Sequence, residues 1–302
     1  MGAAMIDELS FAFALLVSGL SIGLMYSLIA LGFVLVYKAT DAINFAQGEF
    51  VMLAGFIVAT ALTVSGMPVL GAIVLTVAIM ILFSFALERV VLRPMLGRPV
   101  VAVIMATIGL AAILRGLPPI TVGAETKAVS LPLPDVPIFI WSAVIPPIQA
   151  LGVIVTIAFL GIFSWFFLKS RMGVAMRAVA DNQQVALAMG INVQRYFAIA
   201  WAMAGIVSAL GGIIWGSMLG VDTQLALVGL KVFPVVILGG LDSVVGAIVG
   251  GLIVGVVESI AAGYLDPYVG GGTKDFAPYV LMIIMLMFKP YGIFGQRRIE
   301  RV

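Results

Sequence analysis

Asn44, Gln47 and Glu49 stand together in the stretch NFAQGEF, just after Asp41, and no charged residue follows until Glu88. Two side-chain amides and a carboxylate at this spacing can cap a helix start, line a gate or meet a partner, but they supply no nucleophile. The chain has no cysteine and no histidine. That inventory removes disulfides, thiolate chemistry, imidazole metal sites and Ser/His/Asp catalysis. There is no GxxxxGK[ST] phosphate loop, and the GGGT at 270–273 lies between apolar stretches without the strand and helix such loops need. The chain therefore reads as no enzyme. No catalytic set, metal, resident cofactor or nucleic-acid partner is expected, and any ATP is hydrolysed by another chain.

The elements that must position NFAQGEF belong to a membrane protein. Of 302 residues, 63% are hydrophobic and 10% charged, far from the roughly 25% charged of soluble domains. No cleavable leader is expected, because Asp7 and Glu8 stand where a basic region would be. A crossing needs about 20 apolar residues. Spans are predicted near 11–37, 44–64, 69–92, 100–116, 141–168, 196–219, 223–239, 244–262 and 276–290, separated by breaks such as Ser65-Gly66-Met67-Pro68 and Gly239-Gly240-Leu241-Asp242-Ser243. The expected fold class is an all-α polytopic membrane protein with about eight or nine transmembrane helices, a single permease domain over 1–302.

Basic residues orient the spans, because Lys and Arg collect on the cytoplasmic side. With the N-terminus outside, 12 of the 16 basic residues fall in inner loops: Lys38, Arg89, Arg93, Arg98, Lys169, Arg171, Arg177, Arg195, Lys289, Arg297, Arg298 and Arg301. Only Arg115, Lys127, Lys231 and Lys274 are then outside, and the C-terminus is inside. This topology puts NFAQGEF at the inner start of the second span. Asn44 would be the N-cap, Gln47 would return a bond to its amide, and Glu49 would lie near the inner interface. A second intramembrane acid, Glu258, would lie near the outer interface.

One inner segment is long, KSRMGVAMRAVADNQQVALAMGINVQR at 169–195. Helical spacing gathers Ala175, Met176, Val179, Gln183, Ala186, Leu187 and Gly190 on one small, apolar face, and Gly190 is placed to end the helix. Either it lies on the membrane surface or it docks a cytoplasmic partner. Gly19 and Gly23, and Gly246, Gly250, Gly251 and Gly255, have the spacing of close helix contacts.

Four blocks carry a resemblance: LIALGFVLVYKATDAINFAQGEFVMLAGF at 28–56, RAVADNQQVALAMGINV at 177–193, KVFPVVILGGLDSVVGAIVGGLIVGVVES at 231–259 and KPYGIFG at 289–295. Across essentially its whole length the chain resembles the LivH-type permeases of branched-chain amino-acid ABC importers. The resemblance implies an ABC importer permease in the bacterial inner (cytoplasmic) membrane. Its implied partners are a second homologous permease subunit, two cytoplasmic ATPase subunits and a periplasmic solute-binding protein. It further implies that 169–195 is the cytoplasmic coupling loop, with Ala180, Asp181, Ala186 and Gly190 at the ATPase-coupling positions. Relatives that carry urea, short amides or other amino acids leave the solute open, and a stand-alone secondary transporter is the reading from a different class.

Overall fold

The computed structural model describes residues 2–95, 98–134 and 136–295. Long apolar runs become helices even where glycine recurs in them, because the bilayer offers no partner for an unpaired backbone group. In chain order they are α1 (Gly2–Thr40), α2 (Gln47–Thr63), α3 (Val69–Leu87), α4 (Val100–Thr121), α5 (Pro147–Lys169), α6 (Arg171–Asp181), α7 (Gln183–Ala188), α8 (Val193–Leu219), α9 (Leu227–Gly239), α10 (Val244–Tyr264), α11 (Asp266–Val269) and α12 (Thr273–Phe288). Two strands, β1 (Ile138–Ile140) and β2 (Ala143–Ile145), precede α5. Six of the described helical stretches are long and apolar enough to cross a membrane, and two further apolar helical stretches, Gln47–Thr63 and Thr223–Gly239, are shorter.

Three boundaries differ from the sequence expectation. The fifth span was expected from 141, but Ile138–Ile140 and Ala143–Ile145 form an antiparallel hairpin around Trp141, whose φ is 53°, and the helix starts at Pro147. Phe13 packs edge-on against Trp141 at 5.1 Å between centroids. The fourth span was expected to stop at 116, but α4 runs to Thr121 with Pro118 and Pro119 in its last turn, which places Arg115 well inside the helix rather than at its end. The second helix begins at Gln47, and residues 41–46 ahead of it are irregular. Of the basic residues behind the topology, Arg297, Arg298 and Arg301 lie outside the described residues.

Two compact units divide the chain. The first comprises Met1–Ala30, Pro132–Thr156 and Leu230–Val302. There α1 and α10 meet through glycine: a Cβ on Gly19 would sit 2.8 Å from the Gly255 carbonyl oxygen, and one on Gly23 would sit 2.9 Å from the Leu252 Cα. The backbones approach as closely as small-residue spacing permits.

The second unit comprises Leu31–Leu131 and Ile157–Gly229. Its core gathers Phe50 from α2, Met80 from α3, Leu114 from α4 and Trp201 from α8. Phe83 stands edge-on to Phe50 at 5.4 Å. Beyond Leu87, α3 continues as a π-helical turn, Glu88–Leu92, and a short 3₁₀ turn, Arg93–Met95. Buried Glu88 takes a two-pronged ion pair from Arg93 there, at 3.1 and 2.9 Å.

Candidate functional site

The polar residues of NFAQGEF all lie in the second unit and all are buried: Asn44 and Gln47 are fully covered and Glu49 is 3% exposed. Asn44 Oδ1 accepts from the Ala46 amide at 3.1 Å, fixing the turn that launches α2. The expected reciprocal cap does not form. Gln47 Oε1 instead accepts from Asn44 Nδ2 at 3.3 Å, and Gln47 Nε2 donates to Ser208 Oγ in α8 at 3.0 Å. The reason is burial. A capping glutamine satisfies itself locally, whereas an amide with no water must find every partner inside the protein.

Thr107 fixes the level of this cluster along α4. Its hydroxyl accepts from the Phe45 amide at 3.3 Å, and at 1.5 Å per residue it is about 10 Å from the first residue of α4. Arg115 is about 12 Å further along, and its Nη2 meets Glu49 Oε1 at 2.5 Å. Glu49 therefore sits beside the middle and later part of α4, away from the start of the helix, which Arg98 precedes by two residues. That overturns its expected place at the interface shared with Arg98, and it equally overturns an opposite-face placement of Glu49 and Arg115. Sequence reasoning found Asn44, Gln47 and Glu49 but missed Thr107, Ser208 and Arg115. Arg115 had one available signal: it is the lone charge between Arg98 and Glu125.

The structure thus brings a non-helical entry, 41–46, and a helix N-terminus to the depth of neighbouring spans. Irregular backbone at such depth is tolerated where protein buries it or where it lines a cavity, and broken helices of this kind form solute sites in transporters. Chemically the cluster offers amide and hydroxyl donors and acceptors and one ion pair.

The residues of 169–195, for which the resemblance implies a coupling role, form a second constellation. The single helix expected over 174–190 is broken at Asn182, which has φ −158° and ψ 107° and whose side chain caps α7 by accepting from the Val185 amide at 3.0 Å. Asparagine competes with the helix in this way because its carbonyl reaches a nearby amide. Gly190 has φ 80°, the left-handed turn of a helix end. The small apolar face expected to point outward points largely inward: Met176, Val179 and Ala186 are buried at 7, 2 and 2% exposure. Ala180 is half-buried and Asp181 exposed. Outward stand Val185, Leu187 and Met189. Gln183 donates to the Ala39 carbonyl at 3.1 Å, fastening α7 to the end of α1.

Glu258, in the first unit, is 7% exposed; it accepts from Tyr26 at 3.3 Å and lies 3.9 Å from Lys231 Nζ, which is paired with Asp275 at 2.6 Å.

A family model for the permease component of branched-chain amino acid transport systems matches residues 15–288. The chain belongs to that permease family. The high-affinity branched-chain amino acid transport system permease protein BraD of Pseudomonas aeruginosa is 31% identical over 95% of this chain and 97% of its own length. The corresponding LivH of Escherichia coli K12 is 31% identical over 94% and 96%. A probable branched-chain amino acid transport permease protein LivH of Methanocaldococcus jannaschii is 30% identical over 89% and 88%. Among solved structures, PsaBC from Streptococcus pneumoniae in complex with Fab has the same fold at a TM-score of 0.50 and 16% identity, covering 96% of this permease and 97% of that chain. This permease accordingly shares an architecture of several apolar helices with relatives that are transport subunits.

Proposed function

We propose that this protein is the membrane permease of an ATP-driven importer for branched-chain amino acids. The observation that carries the reading is the near-full-length likeness, at about a third identity, to permeases named for that solute class. The partners proposed are a second homologous permease subunit, two cytoplasmic ATPases that hydrolyse ATP, and a periplasmic solute-binding protein. Adding α12 (Thr273–Phe288) to the six long and two shorter apolar stretches would give nine crossings, with the N-terminus outside, the C-terminus inside and 1–302 serving as one permease domain. In this reading α6 and α7 receive the ATPases. The outward residues Val185, Leu187 and Met189 offer them an apolar contact, while Ala186 and Gly190 hold the loop's shape.

The test is uptake of radiolabelled leucine into proteoliposomes holding the permease pair and ATPases, with the binding protein and ATP supplied. Uptake that needs ATP and is competed by isoleucine and valine supports the proposal. Urea or short amides competing in their place would reassign the solute, and uptake without the ATPases would make the chain a stand-alone carrier.

A further inference from the structure

Arg115 is 48% exposed along its side chain, although its partner Glu49 is 4% exposed. One turn away on the same side of α4, Ala112 is exposed and Pro119 half-buried. The residue is about 9 Å short of the end of α4, within the apolar stretch Val100–Thr121. A guanidinium bare to hydrocarbon at that depth is costly, and intramembrane charges face a polar path or a partner. Arginine has five N–H donors, and among the described residues its hydrogen bond is the one to Glu49. The remaining donors lie on the uncovered side.

We propose that the Glu49–Arg115 pair is a solute subsite for a zwitterionic α-amino acid. The solute carboxylate takes the outer edge of the Arg115 guanidinium and its ammonium takes Glu49. Four charges then alternate in sign, so that occupied and empty sites carry the same net charge and no uncompensated charge is brought to this depth. An aliphatic side chain rests on Ala112 and Pro119, which flank Arg115 one turn away on the same side of α4. Asn44 and Gln47 hold the start of α2, and with it Glu49, in register through Ser208. A site for urea or a neutral amide would need no such pair. The proposal rests on the reading of the chain as an amino-acid permease and adds where the solute binds.

The experiment uses the complete reconstituted importer with labelled leucine and compares Glu49→Gln, Arg115→Gln, Arg115→Lys and the double variant Glu49→Gln/Arg115→Gln. Losing one member of a desolvated charge pair at a binding site corresponds to a fall of about thirtyfold or more, so each neutralised single variant should lose uptake on that scale, with Arg115→Lys retaining more than Arg115→Gln. The double variant decides the role. Removing both members of a merely structural ion pair leaves no unpaired buried charge, so the double change costs folding less than either single one. On the proposal the double variant stays at normal abundance, keeps its second permease subunit and ATPases in pull-down, and still fails to import. Parental uptake by the double variant would overturn the subsite in favour of a structural pair. Loss of the second permease subunit from the double variant would also overturn it, placing Arg115 in the subunit interface. A parental importer that moves urea and no amino acid would overturn the functional reading itself, and is recognised before any variant is compared.

Discussion

Gln47 and Ser208, 161 positions apart in sequence, are joined by a 3.0 Å hydrogen bond that ties the first turn of α2 to the middle of α8. Ser208 also donates to the Ala204 carbonyl at 2.8 Å, so its hydroxyl oxygen is held ready to accept. Both residues are fully buried. The bond sets the position of a helix that begins at depth.

Ser208→Ala should leave the Gln47 amide without an acceptor and lower the stability of the purified permease by about 1 to 3 kcal/mol, the cost of a buried unsatisfied group. Gln47→Leu combined with Ser208→Ala should cost less than the sum of the two single changes. The check is a double-mutant cycle on denaturation midpoints in detergent. Additive losses would mean that the bond holds nothing.

At the coupling loop, Leu187→Glu should release the ATPases in pull-down while permease abundance stays near parental, because Leu187 is 59% exposed. Ala186→Arg should lower abundance itself, since a buried position would have to admit a charge. The two variants differ only in which way one residue of α7 points, and quantitative blotting beside the pull-down separates them. ATPases retained by Leu187→Glu would remove the outward face from the interface.

Gly190→Val places a β-branched residue at φ 80°, which costs about 1 to 2 kcal/mol. Nothing packs within 4 Å of the added Cβ, so the loss should come from the turn alone. Gly190→Asn, which tolerates the left-handed region, should restore most ATPase binding and uptake. Equal failure of Val and Asn would point to a contact at that position rather than to backbone geometry.

Gly251→Leu should abolish accumulation of the permease. Its Cβ would meet the Gly23 carbonyl and would stand 3.1 Å from the Ser27 amide nitrogen, and backbone cannot yield as a side-chain tip can. Membrane-fraction immunoblots at normal expression provide the check, and a normal level would show that α1 and α10 can separate at no cost.

A reporter fused after Val302 should be cytoplasmic and one inserted near Lys127 external. Both reporters on one side would overturn the proposed orientation.

Apolar length and glycine or proline breaks located the helical stretches, because a span is a local property of about 20 residues. The end of α4 was not legible. Gly116, Pro118 and Pro119 look like a stop, yet the prolines occupy only the last turn, and that misplacement left Arg115 at the very end of the expected span, where it was counted with the outer charges. The hairpin was hidden because Ile138, Phe139, Ile140 and Trp141 extend an apolar run, and short runs do not separate strand from helix. Asn44, Gln47 and Glu49 were conspicuous as polar residues in a greasy chain. Thr107 and Ser208 were not, since one hydroxyl in an apolar helix has no periodicity and gains meaning only from the helix beside it. On the coupling loop the pattern grouped Met176, Val179 and Ala186 correctly but not their direction, because an apolar stripe fits a partner's groove and the protein's own body equally well.

Asn182 makes α6 and α7 a jointed pair instead of one rod. A continuous helix would pass any tilt of its far end straight along its axis, but here α7 joins α6 through one extended residue, and α6 has its own anchor in the bonds from Arg177 to the Phe167 and Leu168 carbonyls. What α7 pulls on is the Gln183 tether to the Ala39 carbonyl. If α7 receives the ATPases as proposed, its displacement would be handed through that tether to the end of α1 and to the irregular stretch that follows it, the leash on which α2 hangs.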